Sequence, residues 1–227
     1  MGGANNLTRL EHPERIRVEM EKVEEAFEEL RKIKELFARR GWFPATSGNL
    51  SVRMDVQEGE PDLIAITASG KDKTVHTPED FLLVDREGKP AFPTRLKPSA
   101  ETLVHTAIYQ KIKDCRAIFH IHTVHNNLIS EQCGDAGYVS FSGHEIIKAL
   151  NIWEEGAVIR VPIVPNHASI PDLAQAVREV TDPRVPAVLI RNHGIYAWGD
   201  SIFAAKRHLE AFEFLFEYQV KLQLLNQ

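Results

Sequence analysis

A chain of 227 residues can bury a substantial core without disulfide or metal staples, and its 43% hydrophobic and 26% charged content is ordinary for a globular protein. The net charge of −5 leaves no basic excess for a nucleic-acid surface, and an anionic ligand would have to be met locally, by a metal, a few lysines or backbone amides. Two cysteines, Cys115 and Cys133, are too few for a disulfide framework, and neither a signal-like apolar core nor a run of membrane-spanning length is present, so the expectation is a cytoplasmic protein with no membrane or nucleic-acid partner.

Residues 1–12 are polar, with Gly2 and Gly3, and are expected to be frayed. Ile16, Met20, Val23, Phe27, Leu30, Ile33 and Phe37 recur every three or four residues and predict an amphipathic helix, with Gly41 as its stop. Between Gly41 and Pro98 the pattern turns to short strand-like runs, Asn49–Arg53, Leu63–Thr67 and Phe81–Val84, followed by a turn at Asp85-Arg86-Glu87-Gly88. Pro98-Ser99-Ala100-Glu101 reads as the opening of a helix to about Lys113, with Ser99 as N-cap and a carboxylate favoured by the helix dipole. Ala117–His122 reads as a strand, a short helix starts near Val124, and a strand lies near Tyr138–Phe141. Gly143–Leu150 reads as helical, Ala157–Val161 as a strand and Pro171–Val180 as a helix with proline at its start. Val188–Arg191 and Ile195–Trp198 flank Asn192-His193-Gly194, which suits a tight antiparallel turn. A last helix runs from Ser201 to Leu225. No repeat or linker interrupts the chain, so a single domain over 1–227 is expected. The hairpins argue against a purely parallel sheet.

The sharpest chemical signal is Phe119-His120-Ile121-His122-Thr123. In a strand, residues two apart share a face, so His120 and His122 can converge on one ion while Ile121 faces the core. Such a pair is equally a chance occurrence on a solvated strand. His193 in an Asn-His-Gly turn, where glycine lets the backbone pass close to a site, adds a third ligand. Three histidines with an open position form a catalytic, not a structural, zinc pattern. His125 is a rival ligand that leaves the strand face. His12, His76, His105 and His208 read as surface or packing histidines, and His144 and His167 stay open. Two small-residue turns, Thr46-Ser47-Gly48-Asn49-Leu50-Ser51 and Thr67-Ala68-Ser69-Gly70-Lys71, with Ser99 at a helix start, could together make an anion nest, to which Lys71 adds a point charge.

In combination, Ser47-Gly48-Asn49, Pro98-Ser99-Ala100-Glu101, His120-x-His122 and Asn192-His193-Gly194 resemble the class II aldolase/adducin-like family, over roughly Arg31 to the C-terminus. The resemblance implies a three-layer α/β/α fold around a mixed, mostly antiparallel sheet. It implies a phosphorylated ketose as substrate, one divalent metal per subunit (zinc the expected ion) and a homotetramer. It assigns the metal to His120, His122 and His193 and the phosphate to the neighbourhood of Ser47, Gly48, Asn49, Ser69, Gly70 and Ser99. The segments Gly143–Leu150, His193–Gly199 and Glu210–Phe216 are similar to the family's sugar-phosphate dehydratases, which place their acid/base glutamate where Glu145 sits. The aldolases place theirs where Glu101 sits, and this chain carries both. Dehydration is therefore the expected reaction, with retro-aldol cleavage or 4-epimerisation of another ketose phosphate as the alternative. A non-enzymatic, adducin-like role would be expected to lose metal ligands that this chain keeps.

Overall fold

The computed structural model describes residues 13–54 and 62–226. The expectation of a frayed terminus, and His12 with it, falls outside these residues. Strands β1 (Asn49–Arg53), β2 (Ile64–Thr67), β3 (Phe81–Val84), β4 (Ala117–Ile121), β5 (Tyr138–Ser142), β6 (Val158–Val164), β7 (Ala187–Ile190) and β8 (Gly194–Gly199) form one sheet in the order β3-β2-β1-β4-β8-β7-β6-β5. Every neighbouring pair is antiparallel except β6 and β7. The mixed, mostly antiparallel sheet that the resemblance implied is thus the one observed.

Helices α1 (Pro13–Arg39), α3 (Val124–Cys133) and α5 (Ile202–Leu225) cover one face, and α2 (Thr102–Lys111) and α4 (Ile170–Val180) the other. The alternation of side chains along each strand feeds both layers. In β4, Phe119 and Ile121 enter the α1/α5 core, while Ile118 enters the core under α2 and α4. Burial of whole strands such as β2, β7 and β8 follows from having helices on both sides. No described helix is long and apolar enough to cross a membrane.

One expectation needs correction. Ser99 does not cap α2; the N-cap position belongs to Glu101, and Thr102 begins the helix. Residues 97–99 are instead tied to the end of β2 by an Ala68–Pro98 bridge and by Ser69 N–Lys97 O (2.8 Å) and Ser99 N–Thr67 O (3.1 Å) bonds, which hold them extended. Gly143–Leu150, read as helical, forms a 3-10 helix over Glu145–Leu150. The other boundaries fall within a few residues of those read from the sequence.

Register places the chemistry. Strands β2, β4, β6 and β7 end, and β1 and β8 begin, at the same edge of the sheet. Residues just beyond those termini therefore meet there, although the sequence scatters them from Ser47 to His193.

Candidate active site

His120 is the penultimate residue of β4 and His122 directly follows the strand, on the face covered by α2. Their Nε2 atoms lie 2.9 Å apart. His193 comes from the β7–β8 turn, where Asn192 takes a positive φ of 53° and His193 N bonds Ile190 O at 3.1 Å. The ligand atoms of these three histidines lie within 4.8 Å of one another, the one metal-competent group among the described residues. Gly194 makes the approach possible. A Cβ there would stand 2.4 Å from Ile121 O and 2.9 Å from atoms of both the His120 and His122 rings. Gly48 does the same on the β1 side: its φ is +75° and a Cβ would meet His120 O at 2.7 Å.

Two of the rings are oriented from behind. His120 Nδ1 donates to Ile195 O (2.9 Å) and His193 Nδ1 faces Asn166 Oδ1 (3.1 Å), which turns their Nε2 atoms towards the centre. Burial, only partly opposed by Glu101, lowers the His120 pKa to about 4, and burial with the neighbouring rings lowers His122 to about 2. Both are neutral at physiological pH. Tyr196 stacks on His120 with ring centroids 4.0 Å apart.

Glu101 closes the group. Its Oε1 lies 2.8 Å from His193 Nε2 and its Oε2 lies 3.3 Å from His120 Nε2, while Asn49 Nδ2 donates to Oε2 at 2.7 Å. Burial alone would raise its pKa, but His120, His193 and Asn49 outweigh that and hold the carboxyl well below the usual range. Imidazole nitrogens packed around an ionised carboxylate are short of positive charge. That is the donor set a borderline divalent cation satisfies. An open cavity of about 620 Å³ adjoins His122 and His193, lined also by Pro44, Asn127, Asn166 and Asn192. A larger one of about 850 Å³ opens at the other end of the sheet and is lined by none of the residues singled out from the sequence as site candidates.

The anion-nest residues converge as well. β1 and β2 are antiparallel neighbours, and the Ala68–Pro98 bridge sets Ser69 and Gly70 beside Ser99. Ser47 Oγ is buried without a partner, an orphan that a ligand oxygen would satisfy. The turn before it is strained, with Ala45 and Thr46 at φ 51° and 67°. Asn49 is engaged by Glu101 and His105, and Lys71 by the exposed Glu79 at 2.8 Å. Sequence reasoning missed Lys73, which is 6% exposed, donates to Thr46 O at 2.6 Å and interacts electrostatically with Glu101 and His122. Of the histidines read as surface or packing residues, His105 is fully buried beside Asn49 and His208 is buried against Trp198 O. His125 lies on α3, outside the metal-competent group.

Glu145 is not brought to the centre within one chain. Ser142, at the end of β5, pairs with Val158 at the start of β6, whereas the centre lies past the end of β6. The seven residues of β6 alone span about 20 Å. The Glu145 side chain is 83% exposed and pairs with Lys148 at 2.8 Å.

A three-layer α/β/α protein with three histidines converging beside a buried carboxylate fits the metal-dependent enzymes that act on sugar phosphates. The sequence pattern described as "Class II Aldolase and Adducin N-terminal domain" matches residues 28–220, and the chain belongs to that family. Its relatives include proteins named methylthioribulose-1-phosphate dehydratase. That of Geobacillus sp. (strain WCH70) is 54% identical over 88% of this chain and 92% of its own length. That of Bacillus subtilis (strain 168) is 53% identical over 89% and 96%. Among solved structures, an l-fuculose-1-phosphate aldolase from Thermus thermophilus aligns with a TM-score of 0.67 at 24% identity, over 90% of this chain and 98% of that one. A sugar-phosphate aldolase from Thermotoga maritima aligns at 0.66 and 20%, over 90% and 97%. These two share the fold.

Proposed function

We propose that this chain dehydrates 5-methylthioribulose 1-phosphate to 2,3-diketo-5-methylthiopentyl 1-phosphate, a step of methionine salvage, as a cytoplasmic homotetramer with one zinc ion per subunit. The observation that carries the reading is the convergence of His120, His122 and His193 around Glu101. The relatives above 50% identity support dehydration over aldol cleavage.

His120, His122 and His193 would hold the ion. Bound there, a divalent cation supplies Lewis acidity to the oxygens on C2 and C3. The chain's own groups do the rest. Ser47, Gly48, Asn49, Ser69, Gly70 and Ser99 form the arc that receives the 1-phosphate, with the orphaned Ser47 hydroxyl as a ready donor and Lys73, rather than the Glu79-paired Lys71, as its ammonium group. Glu101, kept ionised, orients and balances charge rather than acting as an acid. Glu145 takes the proton from C3 and delivers one to the C4 hydroxyl, which leaves as water; the resulting enol tautomerises to the diketone.

Because Glu145 leaves the far end of its own sheet, it serves a second copy's centre. Exposed Val158, Phe214 and Tyr218, near Glu145 at the end of β5 and on α5, offer the apolar surface for that docking. The test mixes two inactive variants, His122→Ala and Glu145→Gln, in refolded or co-expressed assemblies. Random association pairs an intact triad with an intact glutamate in about one quarter of sites, and activity should return in that proportion. No recovery would assign the proton steps to Glu101 in the same chain and favour aldolase-type chemistry.

A further inference from the structure

Behind Glu101 runs a line of buried polar groups that the metal centre does not use. Asn49, Ser51, His105 and Tyr109 are all at most 2% exposed. Asn49 Nδ2 meets Glu101 Oε2 at 2.7 Å, and Asn49 Oδ1 accepts from His105 Nε2. His105 Nδ1 meets Ser51 Oγ at 2.7 Å, and Ser51 Oγ meets Tyr109 OH at 2.8 Å. Such a line needs an apolar setting, which Tyr196 supplies by packing edge-on against His105.

The chemistry of each atom fixes the direction of every proton. The Asn49 amide turns its NH₂ to Glu101 and so presents its oxygen to His105. That oxygen only accepts, so the proton of the His105 ring sits on Nε2. The ring is neutral, since burial lowers its pKa to about 3. Nδ1 is then bare and accepts from the Ser51 hydroxyl, whose oxygen accepts from the Tyr109 phenol. Burial holds that phenol protonated. Reversing any member sets two acceptors face to face at hydrogen-bond distance.

We propose that Tyr109, Ser51, His105 and Asn49 form a one-way chain of donors that aims the Glu101 carboxylate at the metal centre, with His105 as its positioning residue. Hydrogen bonds in series polarise one another, so the Asn49–Glu101 bond is stronger than an isolated one. The chain matters most when an ion is bound. His120 and His193 then turn their Nε2 lone pairs to the ion, and Asn49 remains as the donor that fixes Glu101. The proposal rests on Glu101 as the carboxylate of the centre and not on the identity of the substrate.

The test has an arm independent of catalysis. Metal-free protein labelled with ¹⁵N-histidine is examined by long-range ¹H–¹⁵N NMR, with His105 assigned by the loss of its signals in His105→Gln. The chain requires a neutral His105 with its proton on Nε2; a proton on Nδ1 overturns it. In the metal-loaded enzyme, His105→Leu should lower kcat by about 10–100-fold with KM nearly unchanged, the usual effect of removing an outer-shell partner. His105→Gln keeps a donor near the Nε2 position and should recover most of that loss. Tyr109→Phe should shift the His105 Nδ1 resonance, and adding it to His105→Leu should cost nothing further, because both cut one chain. Equal losses in the Gln and Leu variants, additive losses in the double variant, or a rise in KM at constant kcat would each refute the proposal. Should His105→Leu fail to fold, the wild-type spectrum and Tyr109→Phe decide the matter alone.

Discussion

Gly194→Ala is the most demanding perturbation of the centre that leaves every ligand in place. The new methyl would lie 2.4 Å from Ile121 O, a backbone atom inside the β4–β8 ladder. That is about 1 Å inside normal C···O contact. It would also lie 2.9 Å from His120 Cε1 and His122 Cδ2, where carbon pairs settle at about 3.5–4.0 Å. The ladder resists moving, so the rings absorb much of the shift, by roughly half an ångström or more. Metal–ligand distances tolerate only about 0.2 Å. The expected cost is about 1–3 kcal/mol of stability from overpacking, with metal affinity down about 10–100-fold. Chelator competition measures the affinity, while far-UV circular dichroism confirms the fold. Metal affinity within threefold of wild type, in a folded protein, would refute the claim that this glycine exists to admit the two rings.

Burial raises the pKa of Glu213, which accepts from Thr123 Oγ1 and Asn126 Nδ2, to about 7. Its folded-state value exceeds its unfolded one, so its stabilisation is full below about pH 4.5 and is lost as pH rises to about 7, by about 3 kcal/mol in all. Glu213→Gln should therefore gain on wild type progressively over that window in denaturant titrations, and a pH-independent difference would contradict this. His120 and His122, whose values are lowered, act in the opposite direction in both proteins and cancel in the comparison. Lys73→Met should raise KM about tenfold or more and weaken inhibition by inorganic phosphate, whereas Lys71→Met, which frees only the exposed Glu79 pair, should change KM by less than about threefold. The reverse ranking would return the ammonium role to Lys71.

What was legible in the sequence is what local rules determine. The two-residue period of His120 and His122 survives because a strand fixes side-chain direction, and the Asn192-His193-Gly194 turn closes a hairpin of adjacent strands. The helices follow from periodicity and from caps such as Ser201 Oγ, which accepts from Ala204 N. What was not legible depends on strand order. Ser99 looked like an N-cap because nothing local reveals its tie to Thr67. His105 looked like packing because its partners, Asn49 and Ser51, lie more than fifty residues earlier. Glu145 could be picked out by resemblance, but that it leaves the sheet at the end opposite the histidines follows only from the β5–β6 register. Lys73 carries no signal beyond its spacing from Lys71. Its burial comes from the fold of the loop against Thr46.

The central claim is tested most directly by the products formed from 5-methylthioribulose 1-phosphate on protein of measured metal content. The account predicts the 2,3-diketone 1-phosphate and water, in proportion to bound metal, with no carbon–carbon cleavage and with loss of turnover in His122→Ala. Release of dihydroxyacetone phosphate and methylthioacetaldehyde, or turnover that persists in metal-free protein, would contradict it.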